Sequence, residues 1–300
     1  MVWPGKAWRG KGRKGNMTRT ERRKLTARTV ATIMKVERRY TDKLKKIVKP
    51  AILKAIDRAK TAMPHAVKED GDAWDKALAR AAKDHKGLLQ RLARHDGGAA
   101  DDDTDMDEAI GEAYDEMLWN LAAVNAKNLE AQGIAVDLRK DPKLFARMVK
   151  ARQENVALIN KHKAAYFDDV EEIMGNPENY GLGVKGLVAQ LMERGNVWLS
   201  RAEMIARDQT CKSNAAITRF RHEEAGISEY QWSCSLDERV RPMHRALEGK
   251  RFSYDDPPET NDDGDRNNPG EDFSCRCVGI PQLDELQATD EDTDEGDGNE

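Results

Sequence analysis

From about Glu21 to Thr61, apolar residues recur every three or four positions: Val30, Ile33, Met34, Tyr40, Leu44, Ile47, Val48, Ala51, Ile52, Ala55, Ile56 and Ala59. This period predicts a long amphipathic helix, which Pro50, lacking a backbone donor, is expected to kink or divide. A second helix is expected over Asp72 to Arg94, with Trp74, Ala77, Leu78, Ala81, Ala82, Leu88, Leu89 and Leu92 on one stripe. The acidic stretch DGGAADDDTD reads as a loop. A third helix, from near Asp105 to near Gly133, carries Ile110, Ala113, Tyr114, Met117, Leu118, Leu121 and Ala122. Three such stripes suggest a bundle or a long hairpin.

Asp141-Pro142 pairs an N-cap with a proline at the first helical position, and the helical pattern continues towards Met174. The segment GNPENYGLGVKG reads as a loop. A short helix from Val184 to Arg194 should stop at Gly195-Asn196, and Ser200-x-x-Glu203 should open the next one as a capping box. That helix runs to about Glu224 with Gly226 as its stop, and Ala202, Ile205, Ala206, Ala216, Ile217 and Phe220 make its buried stripe. Cys211 falls off the stripe and reads as an incidental free thiol.

At Tyr230 the period changes from helical to two. Tyr230, Trp232, Cys234 and Leu236 alternate with Gln231, Ser233 and Ser235, the pattern of a half-buried strand. FSCRCV, residues 273–278, is a second candidate strand, whose Cys275 and Cys277 would project from one face while Arg276 points the other way. Between the two, Asp237 is placed to initiate a turn, Pro242 to open a helical turn that carries His244, and Gly249 to close it. The expected fold is mainly α, with long N-terminal helices and a small α+β C-terminal module.

Charge is unevenly distributed. Net charge is −4, yet residues 1–60 hold 20 Lys or Arg against 4 acids, and residues 255–300 hold 17 acids against 2 arginines. Residues 1–19, glycine-rich and basic with Trp3 and Trp8, read as a disordered arm, and residues 282–300 as an acidic disordered tail. An excess of sixteen positive charges in sixty residues is more than solubility needs and points to an anionic partner. Double-stranded DNA is expected to be held, without sequence preference, by Lys11, Arg13, Lys14, Arg22, Arg23, Lys24, Arg38, Arg39, Lys45 and Lys46. His65, His85 and His95 read as solvent-exposed. No apolar run is long enough for a membrane span, and the amino terminus lacks a signal-peptide core, so the protein is expected to be made in the cytoplasm and used without export. Four cysteines in 300 residues are too few for a disulfide scaffold, which leaves reduced thiols or a metal site.

The order Asp237-x-Arg239-x-Arg241-x-x-His244, Leu247-Glu248-Gly249-Lys250, then Phe273-Ser274-Cys275-Arg276-Cys277 and a proline resembles the phage Mu F-like minor head proteins. Ser200-Arg201-Ala202-Glu203, Ile205-Ala206-Arg207, Gly226-Ile227 and Tyr230-Gln231-Trp232 extend that resemblance upstream, to about residues 150–281. Where family members commonly carry Thr-Glu and His-Pro, this chain has Asp208-Gln209 and Asp272-Phe273-Ser274. The resemblance implies a minor structural protein of a phage head, a virion component at the portal vertex that acts in head assembly and DNA packaging or delivery. Its implied partners are portal and major head proteins. The domains then read as the arm 1–19, a helical basic-faced region 20–135, a Mu F-like head morphogenesis domain 141–281 and the tail 282–300, with Asp237, Arg239, Arg241 and Gly249 holding the turn before His244.

The chemistry-bearing residues admit other readings. His244, Cys275, Cys277 and Cys234 could form a tetrahedral structural zinc site, or stay reduced thiols packed around His244. Cysteines two apart on a strand are poorly placed to bond each other. The alternative function is a metal-dependent enzyme using this cluster, with Glu248 or Asp237 as base; no H-x-x-x-H or H-x-E…C-x-x-C pattern supports it, and none is expected.

Overall fold

Thr18 and Glu21 open the first helix reciprocally. The Thr18 hydroxyl and N–H donate to Glu21 Oε2 at 2.6 and 2.9 Å, and the Glu21 N–H donates back to Thr18 Oγ1 at 3.4 Å, a capping box. Helix α1, Arg19–Ala62, follows, and Pro50 sits on its exposed face without dividing it. This computed structural model describes residues 17–62, 96–132, 134, 142–235 and 237–283, with the backbone alone at 96–103, 177, 180, 181 and 184. The expected helix over Asp72 to Arg94, residues 1–16 of the basic arm, the tail from 284, Asp141, Leu236, His65, His85 and His95 lie outside the described residues.

The remaining elements are α2 (Asp96–Glu130), α3 (Pro142–Gly175), a 3-10 turn (Pro177–Leu182), α4 (Gly183–Glu224), β1 (Glu229–Ser233), α5 (Pro242–Leu247), β2 (Arg251–Ser253) and β3 (Val278–Pro281). The described residues are mainly helical with one small sheet near the C-terminal end, as expected. The sheet is antiparallel in the order β2-β1-β3, with Tyr230 opposite Phe252 and Trp232 opposite Gly279. Among the described residues no helix is long and apolar enough to cross a membrane.

The described residues fall into two compact units, each drawn from several stretches of chain. One takes in the described residues of 40–114 and 152–206; the other takes in those of 1–39, 115–151 and 207–300. In the first, Val48, Ile52, Ala55, Ile56 and Ala59 of α1 pack with Tyr166, Val170 and Met174 of α3 and Leu187, Leu191, Trp198 and Ala202 of α4. Tyr166 stacks on Trp198 at 5.3 Å, and the buried Tyr40 hydroxyl donates to Asn155 Oδ1 at 2.5 Å. In the second, buried Thr26 of α1 shares a hydrogen bond with Ser233 of β1 at 2.8 Å, and Asn128 Nδ2 donates to Thr29 Oγ1 at 3.0 Å.

Several expectations need correction. The acidic stretch 96–105 is the opening of α2 rather than a loop. Carboxylates are favoured in the first turns of a helix, where backbone N–H groups are unsatisfied and the dipole is positive. The break at Gly195-Asn196 and the fresh start at Ser200 are absent: α4 runs unbroken through both. Gly195 is a point of close approach, since a Cβ there would lie 2.5 Å from Ile52 Cγ2 of α1. On α4 Ala215 is buried while its expected neighbour Ala216 is exposed, and Cys211, expected off the stripe, is buried. FSCRCV is not a strand either: β3 begins at Val278, after both cysteines.

The close approach at Gly195 generates the first prediction. Gly195→Val should overpack the α1–α4 contact and destabilise the protein by about 1–3 kcal/mol in urea denaturation. Ile52→Ala removes the methyl group that the new side chain meets, so it should cost less in the Gly195→Val background than it does alone; strictly additive losses in the double variant would refute the contact.

Candidate metal centre

β1 supplies the floor of the site. Tyr230 and Trp232 are both completely buried, together with Cys234, Tyr254, Cys275 and Cys277 in one cluster. The turn that follows crosses back over this face. The Gly249 N–H donates to the Trp232 carbonyl at 2.8 Å, and Gly249 takes φ +78°, a left-handed conformation that favours glycine. The Cys234 N–H donates to Glu248 Oε2 at 2.6 Å, and its Sγ to the His244 carbonyl at 3.0 Å. Pro242 stands in the first turn of α5, as expected, and His244 is carried inward on it.

His244 is the centre of the arrangement. Its ring stands edge-on to Trp232 with centroids 5.5 Å apart, and its Nδ1 lies 3.4 Å from Cys275 Sγ and 3.7 Å from Cys277 Sγ. The three donor atoms all lie within 4.8 Å of one another, in a buried position. On the opposite edge of the ring, Nε2 is 3.2 Å from Asp272 Oδ2. That carboxylate also accepts from Arg241 Nη1 at 2.7 Å, while Arg241 Nη2 reaches the Phe273 carbonyl at 2.7 Å. The cysteines share a centre without a strand. Ser274 takes φ +51° with its N–H on Asp208 Oδ1 at 2.9 Å, and the Cys275 N–H donates to the Asp272 carbonyl at 3.0 Å.

The charged residues of the turn pair differently from a simple Asp237–Arg239–Arg241 cluster. Asp237 accepts the Arg239 backbone N–H at 3.0 Å, but its side-chain partner is Arg276, held by two contacts of 2.6 and 2.9 Å. Arg239 is exposed, and Arg241 turns to Asp272.

Electrostatics within the cluster follow from these bonds. The hydrogen bond from Cys277, and then that from His244, outweigh burial and hold Cys275 well below the ordinary thiol range. Cys277 is pushed far upward by its hydrogen bonds to Cys234 and Cys275 and by burial. Burial opposes the charged form of His244, but the bond to Cys275 and the charges of Cys275 and Asp272 leave its pKa raised. Buried thiolate and imidazole donors suit a soft, tetrahedral cation.

Of the expected DNA contacts, Arg23, Lys24, Arg38, Arg39 and Lys46 are exposed on α1. Arg22 is half-buried and donates to the Met17 carbonyl at 2.7 Å, and Lys45 pairs with Glu203 at 2.8 Å. Lys11, Arg13 and Lys14 lie outside the described residues. Two partners of the cluster, Asp208 and Asp272, stood out in the sequence only as departures from the family pattern, since no spacing marks them as partners of the cysteines and the histidine. His222 escaped the sequence reading. It is buried against the Tyr254 hydroxyl at 2.6 Å, and burial pushes its pKa down to about 3.

Comparison with known proteins gives a family match over part of the chain. Residues 168–280 match the family model described as Phage Mu protein F like protein, in agreement with the resemblance read from the motifs. A protein of Haemophilus influenzae described as uncharacterized is 40% identical over 162 residues, which cover 54% of this chain and 35% of that protein. The chain thus spans about a third of that relative's length. No solved structure matches.

The Asp237–Arg276 pair has a measurable consequence. Its arginine side chain is 10% exposed and its carboxylate 34%, so Asp237→Ala strands a largely buried guanidinium. The loss should be about 1–3 kcal/mol in thermal or urea unfolding, below the range for a fully buried pair because solvent reaches the carboxylate. Unchanged stability in Asp237→Ala would show that the pair does not hold the turn.

Proposed function

We propose, from the Phage Mu protein F-like match over residues 168–280, that this chain is a minor structural protein of a phage head, acting in head morphogenesis at the portal vertex and in packaging or delivery of DNA. That match carries the reading. It is supported by several separated motifs standing in order, from Ser200-x-x-Glu203 through Tyr230-x-Trp232 to Cys275-x-Cys277. The proposed partners are portal and major head proteins and double-stranded DNA, and the proposed location is the virion. A structural role rather than catalysis agrees with the burial of the cysteine–histidine cluster: His244, Cys275 and Cys277 are 2%, 5% and 4% exposed, whereas a catalytic metal site keeps a position open to substrate.

Assembly with heads is the direct test. The chain should co-sediment with assembled heads or portal rings from phage-producing cells, at fewer copies than the major head protein. Recovery solely as free protein in the lysate would sink the reading.

The DNA component rests on the exposed bases of α1 and is tested separately. Thr26, Val30 and Ile33 of the same helix are buried, so neutralisation is a cleaner test than deletion. Replacing Arg23, Lys24, Arg38, Arg39 and Lys46 with Gln should weaken binding to duplexes of unrelated sequence alike. The slope of log affinity against log salt should drop by about 0.9 for each phosphate no longer neutralised; an unaltered slope would exclude α1 as the DNA surface.

A further inference from the structure

We propose that His244, Cys275 and Cys277, with Cys234 as the fourth donor, hold a structural zinc ion, and that Asp272 orients the histidine for it. The inference rests on the geometry of this cluster and is independent of the head-protein reading.

Spacing comes first. Zinc–sulfur and zinc–nitrogen bonds of about 2.3 and 2.0–2.1 Å at a tetrahedral centre place a coordinating sulfur about 3.6 Å from a coordinating imidazole nitrogen. The two separations here, 3.4 Å from His244 Nδ1 to Cys275 Sγ and 3.7 Å to Cys277 Sγ, bracket that value. A direct thiol–imidazole hydrogen bond would account for one such approach; two sulfurs converging on a single ring nitrogen ask for a common centre between them.

The surroundings of the histidine agree. A zinc-bound imidazole typically donates its other N–H to a carboxylate, which fixes the tautomer and the ring plane. Asp272 Oδ2 stands 3.2 Å from Nε2, leaving Nδ1 as the lone pair that faces the sulfurs. Arg241 in turn fixes Asp272 at 2.7 Å. The chain thus has a carboxylate supporting the metal-ligating histidine at the position where family members commonly carry His-Pro.

Cys234 is the fourth donor that the proposal adds to this trio. It is fully buried, and its Sγ donates to the His244 carbonyl at 3.0 Å, outside the three donor atoms that lie within 4.8 Å of one another, so it would leave that carbonyl to coordinate. Three thiolates and an imidazole select zinc over magnesium or calcium, which take oxygen donors. Burial of all four donors closes the site, as in structural rather than catalytic zinc centres. The bound ion would tie α5, β1 and the long connection preceding β3 to one point, stabilising a sheet of strands only five, three and four residues long.

The test uses the full chain without a polyhistidine tag, purified in the absence of chelator. Elemental analysis should find about one zinc per chain, retained in Cys211→Ser and lost at least tenfold in Cys277→Ser and His244→Asn. Because those two variants could fail to fold, the wild-type chain is also stripped and reloaded with cobalt(II), which should give the intense visible absorption of tetrahedral thiolate ligation. In Cys211→Ser, zinc should slow the reaction of the three remaining thiols with a thiol reagent, and stripping it should speed that reaction. Asp272→Asn should keep the cobalt spectrum while binding zinc about 10–100-fold more weakly in competition with a chelating dye. Folded wild-type chain that neither contains nor takes up zinc would overturn the site, as would stoichiometric zinc persisting in Cys277→Ser or a different metal bound in its place. Undiminished zinc affinity in folded Cys234→Ser would overturn the four-donor set.

Discussion

The C-terminal module depends on one short strand. β1 pairs with β2 on one edge and β3 on the other, and its buried side carries Tyr230 and Trp232 with no exposed surface. Trp232 sets the edge against which the His244 ring stands, and the Trp232 carbonyl takes the Gly249 N–H that turns the chain into β2. Ser233, one residue on, ties the strand to Thr26 of α1. Removing β1 would separate the sheet, the turn and the helix together, because each makes its contact on the same five-residue strand.

Around this floor, charged groups align the loops at the rim while the apolar cluster supplies burial. Arg276 lies between the two cysteines in sequence and reaches back to Asp237 with a two-point contact. Arg241 bridges forward to Asp272 and the Phe273 carbonyl. The two ion pairs run in opposite directions along the chain, so the α5 turn and the segment before β3 are each held by a residue of the other. Paired guanidinium–carboxylate contacts of this kind add geometric specificity beyond their energy, which a site needing sulfur and nitrogen within a few tenths of an ångström requires.

How much of this was legible in the sequence depended on the range of the signal. The stripes of α1 and α2 were readable because burial of one helix face imposes a 3.6-residue period, and residues such as Leu44, Val48, Leu118 and Leu121 are buried as that period requires. The α5 turn was readable from Pro242 and Gly249, whose backbone requirements are local. Gly195 misled, since a glycine read as a helix stop is here a helix–helix contact that only the partner Ile52 explains. The acidic stretch before Asp107 misled in the same way: composition argued for a loop, whereas position at a helix start argued for stability. At the site, the spacing of Cys275 and Cys277 foretold a shared centre but for the wrong reason. A left-handed Ser274 and a bond to Asp208, rather than strand alternation, aim the two thiols together.

Helix α1 shows how one sequence can carry two independent constraints. Its apolar stripe, from Val30 through Ala59, is committed to packing along its length. Arg23, Lys24, Arg38, Arg39 and Lys46 occupy positions that the same rotation leaves outside. Since residues three and four apart share a face while adjacent ones do not, changes to the basic set need not disturb the packed set. Lys45 marks the limit of that separation. It lies beside Lys46 in sequence, yet it is half-buried and engaged with Glu203, so its charge is already answered within the protein. A count of basic residues therefore overstates the charge that α1 can offer to a polyanion, and the exposed subset gives the better measure.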